Sequence, residues 1–476
     1  MSTPLLVVTV AAPTTAELCR RRDAVVGADL IELRIDHASD PDVRTALTGR
    51  RTPVVLTCRA KWEGGAFQGS EIERAEILRL GLELGAEYVD VEFKADFADE
   101  LIRTTGGKRI VLSSHDFEGM PSDLADRVRA MRATGAEVVK VAVYPRTLSD
   151  NLRLLSLGGS NGKTVLIGMG PSGIPTRVLA AHFGSCWSFA GDGHAPGQIL
   201  ASRMLDEFRF RDVTPRTAIY GIAGAPLSHS VSPSMHNAAF RAAGVDAVYM
   251  PMVAASADDF LTFANALGVK GASVTIPYKV DLFNRVDSAD ELSRKVGAIN
   301  TLRREGGAWH ARNTDVSGFL APLAGRMQLQ GSRVTILGTG GAARGVAVAL
   351  ASQGSVVTVC GRDRAKADEV ARLAGGHGAS YRVAPKSWDL LVNATPLGTY
   401  PDIDKTPFDG PFDGALVYDL VYNPQRTRLL KEAEAAGCQT IGGLDMLVAQ
   451  AEDQSEWWLG RRPPMDLMRL AAQASL

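Results

Sequence analysis

The sequence predicts an α/β protein in which a closed (β/α)8 barrel is followed by a two-lobed α/β region. In the first half, eight short segments rich in β-branched residues alternate with helical patterns. The pattern changes at segment 207–217, which contains proline and charges of both signs. A second series of strands and helices makes up the rest of the chain. Near-continuous apolar strands that alternate with helices are typical of parallel sheets covered on both faces. With 476 residues the chain is long enough for two or three such domains.

The first half is predicted to be a barrel because eight strand units in about 200 residues fit a closed barrel better than an open sheet. The pattern alone leaves an open doubly wound sheet as the alternative, since both folds alternate strands with helices. The eight segments are LLVVTVA (5–11), LIELRID (30–36), PVVLTCR (53–59), YVDVEF (88–93), RIVLSS (109–114), VVKVAVYP (138–145), TVLIGMG (164–170) and CWSFAG (186–191).

The second half is predicted to contain two lobes. Strands such as AVYMPMV alternate with helices such as PSMHNAAFRAAG up to about residue 320, and a βα series with the strands RVTILG, SVVTVCG, LLVNAT and LVYDLVY follows. The C-terminal segment QSEWWLGRRPPMDLMRLAAQ is predicted to be helical and to return to the first lobe, because its two tryptophans need a packing surface. The predicted domains are 1–212 (barrel), 213–218 (linker), 219–322 with 455–476 (first lobe) and 323–454 (second lobe).

Composition favours small-molecule partners. Lys plus Arg (52) nearly balance Asp plus Glu (53), so no basic surplus indicates nucleic acid or an anionic membrane. The five cysteines are scattered without a CxxC pair, so neither a disulfide framework nor a metal site is expected. The N-terminal segment reads as a strand and not as a signal peptide, and no apolar stretch approaches the roughly 20 residues of a membrane helix. The cytoplasm is the expected location, and the oligomeric state stays open.

Polar residues at the strand ends of the barrel are the first candidates for chemistry, because active sites of such barrels lie at the C-terminal ends of the strands. Lys140 lies inside the sixth strand, where burial disfavours the charged form of an amine and makes its nucleophilic form accessible. A structural ion pair is the alternative. His115, at the end of the neighbouring strand, favours Schiff-base chemistry, which also needs an acid/base group. Arginines at the same strand ends indicate an anionic substrate, most simply a carboxylate.

Six segments spread over residues 1–210 resemble type I 3-dehydroquinate dehydratase: IELRID, TCRAKWEGG, SSHDF, VVKVAVYP, GIPTRVLAAHFGS and APGQ. The resemblance implies a TIM barrel in which Lys140 forms a Schiff base with the C3 ketone of 3-dehydroquinate, His115 moves the protons, and Glu63 orients His115. At position 194 this chain has histidine where the family often has serine. The implied substrate-binding residues are Glu32, Arg34 and Arg59 for the ring hydroxyls, Arg177 for the carboxylate, and His194 and Gln198 on a closing loop.

Two further groups in the second half are candidates for chemistry. The loop GAPLSHSVSPSMHN carries Ser228 and Ser230 before a helix for which Ser232 and Pro233 are predicted to be the N-cap and a first-turn residue. These hydroxyls could equally serve in plain capping. Lys279 ends the segment SVTIPYK, and Asp315 ends the segment NTD. If the two side chains face each other, they could transfer one proton. The alternative is a surface ion pair, which is the more common role of such residues.

A glycine-rich loop indicates a dinucleotide. The segment from Gly338 to Ala343 fits G-x-G-x-x-A between a strand and a helix, which brings the backbone close to a pyrophosphate. The next strand ends about 20 residues later, where the ribose is recognised. Arg362 and Lys366 in this place favour the 2′-phosphate of NADP, whereas Asp363 keeps NAD open.

Residues 217–476 resemble shikimate dehydrogenase through SHSVSPSMHN, SVTIPYK, GAINTL, NTDVSGF, LGTGGAARG, NATPLGT, YDLVYNP and GGLDMLVAQA. The resemblance implies a substrate lobe, a Rossmann-like NADP lobe, and Lys279 with Asp315 as the catalytic pair. It implies that Ser228 and Ser230 bind the substrate carboxylate, and that the ring hydroxyls contact Thr275, Asn300, Tyr422 and Gln450. The implied NADPH-binding residues are Gly338, Thr339, Gly340, Gly341, Ala342, Gly361, Arg362, Lys366, Asn393, Thr395, Leu420 and Gly443. The chain departs from the family at Gly361-Arg362-Asp363, usually Asn-Arg-Thr, and at Pro396, usually serine.

Together the two resemblances imply a bifunctional lyase and oxidoreductase of the shikimate pathway, in the synthesis of chorismate and the aromatic amino acids. The first half would dehydrate 3-dehydroquinate to 3-dehydroshikimate, and the second would reduce that product to shikimate with NADPH. One alternative gives the second half quinate or NAD activity. A remote alternative is a non-catalytic quinate sensor like the fungal repressors, against which the presence of Lys140, His115, Lys279 and Asp315 counts.

Overall fold

The computed structural model describes residues 3–159, 162–191, 193, 196–380, 383 and 386–476, and it divides into two compact units. The first unit runs to Ala218 and also includes Pro226–Ser228 and Asp246–Gly268. The second unit contains Ile219–Ala225, His229–Val245 and Val269–Leu476. The sequence-predicted division of the second half into two lobes is finer than this and stays a prediction.

The first unit contains an eight-stranded parallel sheet with the order β7-β6-β5-β4-β3-β2-β1-β8. The backbone N–H of Cys186, beside β8, donates to Thr164 O of β7 at 2.8 Å, which nearly closes the sheet into the predicted barrel. The strands are β1 (Leu5–Ala11), β2 (Leu30–Arg34), β3 (Val54–Thr57), β4 (Tyr88–Glu92), β5 (Ile110–Asp116), β6 (Val138–Val143), β7 (Lys163–Gly168) and β8 (Trp187–Ala190).

Helices alternate with these strands. Capping side chains define several of the helix starts: Thr14 accepts from the Glu17 amide, and Ser70 forms a capping box with Glu73. The helices are α1 (Thr15–Ala24), α2 (Val43–Leu47), α3 (Glu71–Glu83), α4 (Ala98–Thr105), α5 (Leu124–Ala133), α6 (Asn151–Leu155) and α7 (Ile174–Val178).

The barrel interior changes from apolar to charged along its axis. Side chains two residues apart on a strand share a face, so each strand contributes alternate residues to the interior. Near the N-terminal ends these are core residues such as Val7, Val111 and Val165. Further along the same strands the interior contains charged side chains, among them Glu32 and Lys140. The apolar layer stabilises the barrel, whereas the charged layer contains the side chains that could react.

Four elements follow the barrel: β9 (Ala218–Gly224), α8 (Ser232–Ala242), β10 (Ala247–Val253) and α9 (Ala257–Leu267). Within the first unit, the buried Asp259 carboxylate of α9 accepts from the Leu148 and Ser149 amides at 2.9 and 2.8 Å. Ser172 Oγ also donates to Val253 O at 3.0 Å. These hydrogen bonds explain why residues 246–268 cluster with the barrel.

In the second unit, one sheet contains the run β9-β11-β13-β14-β12. Strands β9 and β11 are parallel, whereas β11, β13 and β14 form antiparallel pairs. Its further elements are β11 (Gly271–Val274), α10 (Lys279–Phe283), β12 (Ser288–Ala289), α11 (Glu291–Val296), β13 (Thr301–Glu305), β14 (Ala308–Arg312) and α12 (Asp315–Leu320).

The other sheet of this unit is fully parallel, with the order β17-β16-β15-β18-β19-β20. The strand order reverses between β15 and β18, which is where open α/β sheets bind their ligands. Its elements are β15 (Arg333–Leu337), α13 (Gly341–Ser352), β16 (Val356–Cys360), α14 (Arg364–Arg372), β17 (His377–Ala379), β18 (Leu390–Asn393), β19 (Leu416–Asp419), α15 (Arg428–Ala435), β20 (Gln439–Ile441), α16 (Gly443–Leu459) and α17 (Leu467–Gln473).

One local sequence prediction is wrong, and the structure describes the surroundings of the predicted linker. The N-cap prediction for Ser232 is wrong by one residue: the cap position is Val231, and Ser232 is already helical. Its amide donates to Ser230 Oγ at 3.4 Å, so the preceding serine takes the place of a cap. The predicted linker 213–218 is held within the first unit, where Val213 is buried and a ring nitrogen of His182 lies 3.2 Å from Thr217 O.

The C-terminal helices contact the segment 217–320, where the sequence predicts them to return. Trp458 Nε1 donates to Leu302 O at 2.9 Å, and its ring lies 5.3 Å from that of Tyr220. Ser475 Oγ donates to Ser234 Oγ at 2.8 Å. In the part of the chain that the structure describes, no helix is both long and apolar enough to cross a membrane.

Candidate active sites

A cavity at the C-terminal ends of the barrel strands brings together eight of the nine residues predicted for the first site. The ninth, His194, lies outside the described residues. The eight come from several strands and loops, which the fold brings together. They are Glu32, Arg34, Arg59, Glu63, His115, Lys140, Arg177 and Gln198.

Lys140 lies between two carboxylates. Its Nζ donates to Glu32 Oε1 and to Asp90 Oδ2, both at 3.1 Å, and lies 4.1 Å from the centroid of the Phe189 ring. Only 5% of the side chain is exposed. Burial opposes the ionisation of Glu32, but the charges of Lys140 and Arg34 outweigh burial and lower its pKa. The buried lysine is therefore paired, and its nitrogen is held in a fixed place.

His115 and Glu63 form a second pair beside it. His115 Nδ1 lies 2.8 Å from Glu63 Oε2, and the His115 amide donates to the same oxygen at 3.2 Å. Burial, with the nearby cations of Arg59 and Lys140, lowers the pKa of His115 well below its usual value. Burial also raises the pKa of Glu63 to about 8. Both shifts favour the neutral forms of the imidazole and the carboxyl, so the two groups are placed to exchange a proton.

The three arginines of the cavity differ in their charge compensation. Arg59 bridges Asp90 at 2.9 Å and Glu92 at 3.0 Å, and Arg34 is paired with Asp36 at 2.8 Å. Arg177 is buried and has no such ion pair with any described residue: its Nη1 donates to Phe189 O at 3.1 Å, and its Nε lacks a hydrogen-bond partner in the same part of the chain. Burial lowers the pKa of Arg177 to about 10. An anionic group in the cavity would complete this environment.

The sequence analysis missed the charges beneath the cavity. Asp90 and Glu92 of β4 are fully buried, and Ser113 Oγ donates to Asp90 Oδ1 at 2.6 Å. The signal in the sequence was the segment YVDVEF, in which two acids two residues apart interrupt an otherwise apolar strand. Two acids on one face of a buried strand require buried cations, and Arg59 and Lys140 supply them.

In the second unit, Lys279 and Asp315 are brought together. Lys279 Nζ donates to Asp315 Oδ2 at 2.5 Å, and the lysine side chain is 13% exposed. Asn300 Nδ2 donates to Asp315 Oδ1 at 2.9 Å and to Gln450 Oε1 at 3.2 Å. Asn300 thus contacts both the predicted catalytic Asp315 and Gln450, another predicted substrate-binding residue. Because the side chains of Lys279 and Asp315 are largely buried, the two do not form a surface ion pair.

The other residues predicted to bind the second substrate have the following surroundings. Thr275 follows β11, and its amide donates to Ala223 O at 2.9 Å. Burial raises the pKa of Tyr422. Ser230 belongs to the second unit and is half-buried, whereas Ser228 belongs to the first unit and is exposed. The sequence analysis missed Thr314, whose Oγ1 donates to Gln450 O at 3.1 Å and which shares the hydrogen-bonded network of Asn300.

The glycine loop fits a dinucleotide. Gly338 has φ +117°, a conformation that disfavours side chains, and a Cβ at Gly341 would lie 3.0 Å from the Lys279 side chain. Helix α13 begins directly after the loop, with Gly340 as N-cap and no side-chain cap. Its first amides are therefore free of capping side chains and can bind a phosphate. The loop also lies beside Lys279, the predicted catalytic lysine, as a reactive cofactor would require.

The ribose loop assigns Asp363 a structural task. Its Oδ1 accepts from the amides of Ala365 and Lys366 at 3.0 and 3.2 Å, which makes it the N-cap of α14. Arg362 and Lys366 are exposed in the same loop after Gly361. The Asp363 carboxylate, which kept NAD as an alternative cofactor, is thus hydrogen-bonded to the first amides of α14, whereas Arg362 and Lys366 are exposed to solvent.

The remaining predicted cofactor residues form one hydrogen-bonded group. Asn393 Oδ1 accepts from Thr395 Oγ1 at 2.7 Å, and Leu420 N donates to Asn393 O at 3.0 Å. The amide of Gly443 donates to Val421 O at 3.3 Å. Asn393 Nδ2 also donates at 2.8 Å to the buried Asp419, whose pKa burial raises to about 6. No group of three or more His, Cys, Asp or Glu side chains among the described residues is arranged to hold a metal ion.

Three family models match the chain. One, described as type I 3-dehydroquinase, matches residues 6–215. A second, described as the shikimate dehydrogenase substrate binding domain, matches residues 222–302, and a third, described as the shikimate 5′-dehydrogenase C-terminal domain, matches residues 443–473.

Known proteins are similar to the whole chain or to its second half. A chloroplastic bifunctional 3-dehydroquinate dehydratase/shikimate dehydrogenase of Arabidopsis thaliana is 34% identical over 93% of this chain and 79% of its own length. A shikimate dehydrogenase (NADP+) of Methanothermobacter thermautotrophicus is 40% identical over 56% of this chain and 99% of its own. The crystal structure of a Thermus thermophilus shikimate 5-dehydrogenase with NADP(H) and shikimate matches with a TM-score of 0.50 and 32% identity, over 54% of this chain and 100% of that chain.

Proposed function

This chain belongs to the family of bifunctional 3-dehydroquinate dehydratase/shikimate dehydrogenases, and from that premise we propose how its residues divide the two reactions. The barrel dehydrates 3-dehydroquinate to 3-dehydroshikimate, and the second half reduces that ketone to shikimate with NADPH. The observation that carries the assignment of residues is the position of Lys140, a buried amine fixed at the floor of a charged cavity beside the His115–Glu63 pair.

In the dehydratase site, Lys140 Nζ adds to the C3 ketone and forms an imine, which withdraws electrons from C2. His115, with Glu63 behind it, takes the C2 proton and returns a proton to the C1 hydroxyl as it leaves as water. Arg177 supports this assignment, because a buried guanidinium with no ion-pair partner among the described residues fits the substrate carboxylate. Glu32, Arg34 and Arg59 bind the ring hydroxyls, and Gln198 contributes from the loop after β8.

In the dehydrogenase site, Lys279 gives a proton to the ketone oxygen while Asp315 fixes its position. Asn300 and Gln450, already joined by a hydrogen bond, hold ring hydroxyls, as do Thr275 and Tyr422. Ser228 and Ser230 bind the carboxylate.

NADPH supplies the hydride when it is bound. The residues that would hold its pyrophosphate are Gly338, Thr339, Gly340, Gly341 and Ala342, where the helix amides carry no side-chain cap. Arg362 and Lys366 would bind the 2′-phosphate, since they are exposed and the neighbouring Asp363 is occupied by its cap. Asn393, Thr395, Leu420, Gly443 and Gly361 complete the set.

Steady-state turnover tests both halves at once. With 3-dehydroquinate as the only carbon substrate, we expect shikimate to form with NADPH and at least about tenfold more slowly with NADH, because the 2′-phosphate contacts are lost. Quinate oxidation with NADP+ and NAD+ is the matched comparison, and a quinate rate above the shikimate rate would contradict the proposed substrate. Accumulation of 3-dehydroshikimate without shikimate would contradict the assignment of the second site.

A further inference from the structure

Asp90 contacts Lys140 from outside the lining of the cavity. Its Oδ2 accepts from Lys140 Nζ at 3.1 Å, it is fully buried, and it is absent from the residues that line the cavity. Its other oxygen, Oδ1, lies 2.9 Å from Arg59 Nη2 and accepts from Ser113 Oγ at 2.6 Å. The carboxylate is therefore fixed beneath the lysine by two neighbours.

Glu32, the other carboxylate on Lys140, is placed differently. It lines the cavity and accepts from Thr9 Oγ1 at 2.8 Å and Thr57 Oγ1 at 3.2 Å. A carboxylate in that position is available to a substrate hydroxyl, and binding one weakens its contact with the lysine. Asp90, which does not line the cavity, is not available in this way.

We propose that Asp90 is the fixed counter-ion of the Lys140 nitrogen in its ammonium and iminium forms, while Glu32 is released to the substrate. The inference rests on the Lys140 imine proposed above. In imine formation the ammonium and the ketone become an iminium and water: the ketone oxygen leaves with two protons from the nitrogen, and a C=N bond replaces C=O. The nitrogen carries one positive charge before and after this step, so one fixed anion stabilises both states without reorganisation.

Glu92 provides a matched control. It lies two residues further along β4, is equally buried and also binds Arg59, at 3.0 Å. Its second cation is Arg74 instead of Lys140. Removing the charge of Glu92 therefore disturbs the same buried network without touching the lysine.

The test compares Asp90→Asn with Glu92→Gln in the full chain. We expect Asp90→Asn to lower kcat for dehydration about ten- to hundredfold more than Glu92→Gln, with little change in KM, because the charged nitrogen loses its partner. The borohydride-trapped adduct of Asp90→Asn should begin to fall off at a lower pH than that of the parent, since the protonated imine has lost its compensating charge. Asp90→Glu should restore part of both properties.

The outcomes separate the two proposals. No trapped adduct in the parent chain would overturn the Lys140 imine itself. An adduct in the parent, with equal kcat losses and unshifted pH profiles in both variants, would overturn the role of Asp90. Near-UV circular dichroism and the thermal unfolding of each variant, compared with the parent chain, report whether the barrel folds. If Asp90→Asn does not fold, Ser113→Ala keeps both carboxylates and removes one restraint on Asp90; a pH profile of trapping identical to the parent's would then count against the proposal.

Discussion

Two lysines are proposed to serve the two reactions, and their surroundings differ in a way that matches the proposed tasks. Lys140 lies within a strand of a barrel, with two carboxylates at 3.1 Å, whereas Lys279 begins a five-residue helix and has one carboxylate at 2.5 Å. A nucleophile that becomes covalently bound needs a fixed position and a lasting counter-charge. A proton donor needs one partner and access to a bound substrate. Lysine can therefore serve as nucleophile in one site and as proton donor in the other, because the two lysines differ in the number of neighbouring carboxylates and in the element that holds them.

The comparison is tested most strongly by removing the nucleophile. Lys140→Met should lower dehydratase turnover by about 10³-fold or more, because no other amine lies among the described residues that line the cavity. Shikimate formation from 3-dehydroshikimate should stay within about twofold of the parent if each site depends on its own lysine. A covalent adduct after borohydride treatment of the variant would contradict the assignment.

Removing the other lysine should give the reciprocal pattern. Lys279→Ala is expected to lower kcat for 3-dehydroshikimate reduction about 10²- to 10⁴-fold, since the proton donor is lost. Fluorescence titration should still detect NADPH binding, and dehydratase activity should persist. The exposed Lys295 on the nearby helix α11 is a suitable control, and Lys295→Ala should leave both rates unchanged. Unchanged turnover in Lys279→Ala would contradict its role.

A smaller effect is expected at the proton-sharing pair. Glu63→Gln should lower dehydratase kcat about 10- to 100-fold, because His115 loses the group that shares its proton. The parent carboxyl has a pKa of about 8 in the folded chain, above its unfolded value, so its contribution to stability is present at low pH and is lost as pH rises through about 8. The Tm of Glu63→Gln relative to the parent should therefore increase between about pH 5 and pH 8. A constant difference over that range would show that Glu63 does not retain its proton.

The smallest effect is expected at the cofactor loop. Asp363→Ala should cost about 1 kcal/mol of stability through the lost cap of α14, while the preference for NADPH over NADH stays the same. Tm measurements and paired KM values for the two cofactors check this. A shift of preference by more than about threefold would mean that Asp363 contacts the ribose.

Much of both sites could be predicted from residue order. The strand–helix alternation with eight units predicted the barrel, and the motifs around Lys140, His115, Lys279 and Asp315 indicated the chemistry. The roles of Asp90 and Glu92 were not predicted, because the sequence around an acid inside a strand does not show which cation will pair with it. Their cations come from β6, α3 and the loop after β3. Asp363 was ambiguous for the same reason: an acid after a strand serves equally as ribose ligand or helix cap.

The sequence by itself determined the order of the elements and the residues able to react, since periodicity and residue chemistry are local properties. Only the tertiary structure decided which charges compensate one another. Lys140 and Glu32 are 108 residues apart, yet parallel strands bring them within 3.1 Å. Electrostatic energy depends on distance and burial, and neither is encoded in spacing along the chain. The fold therefore turned a lysine that could be nucleophile or structural cation into one fixed between two carboxylates at the floor of a cavity.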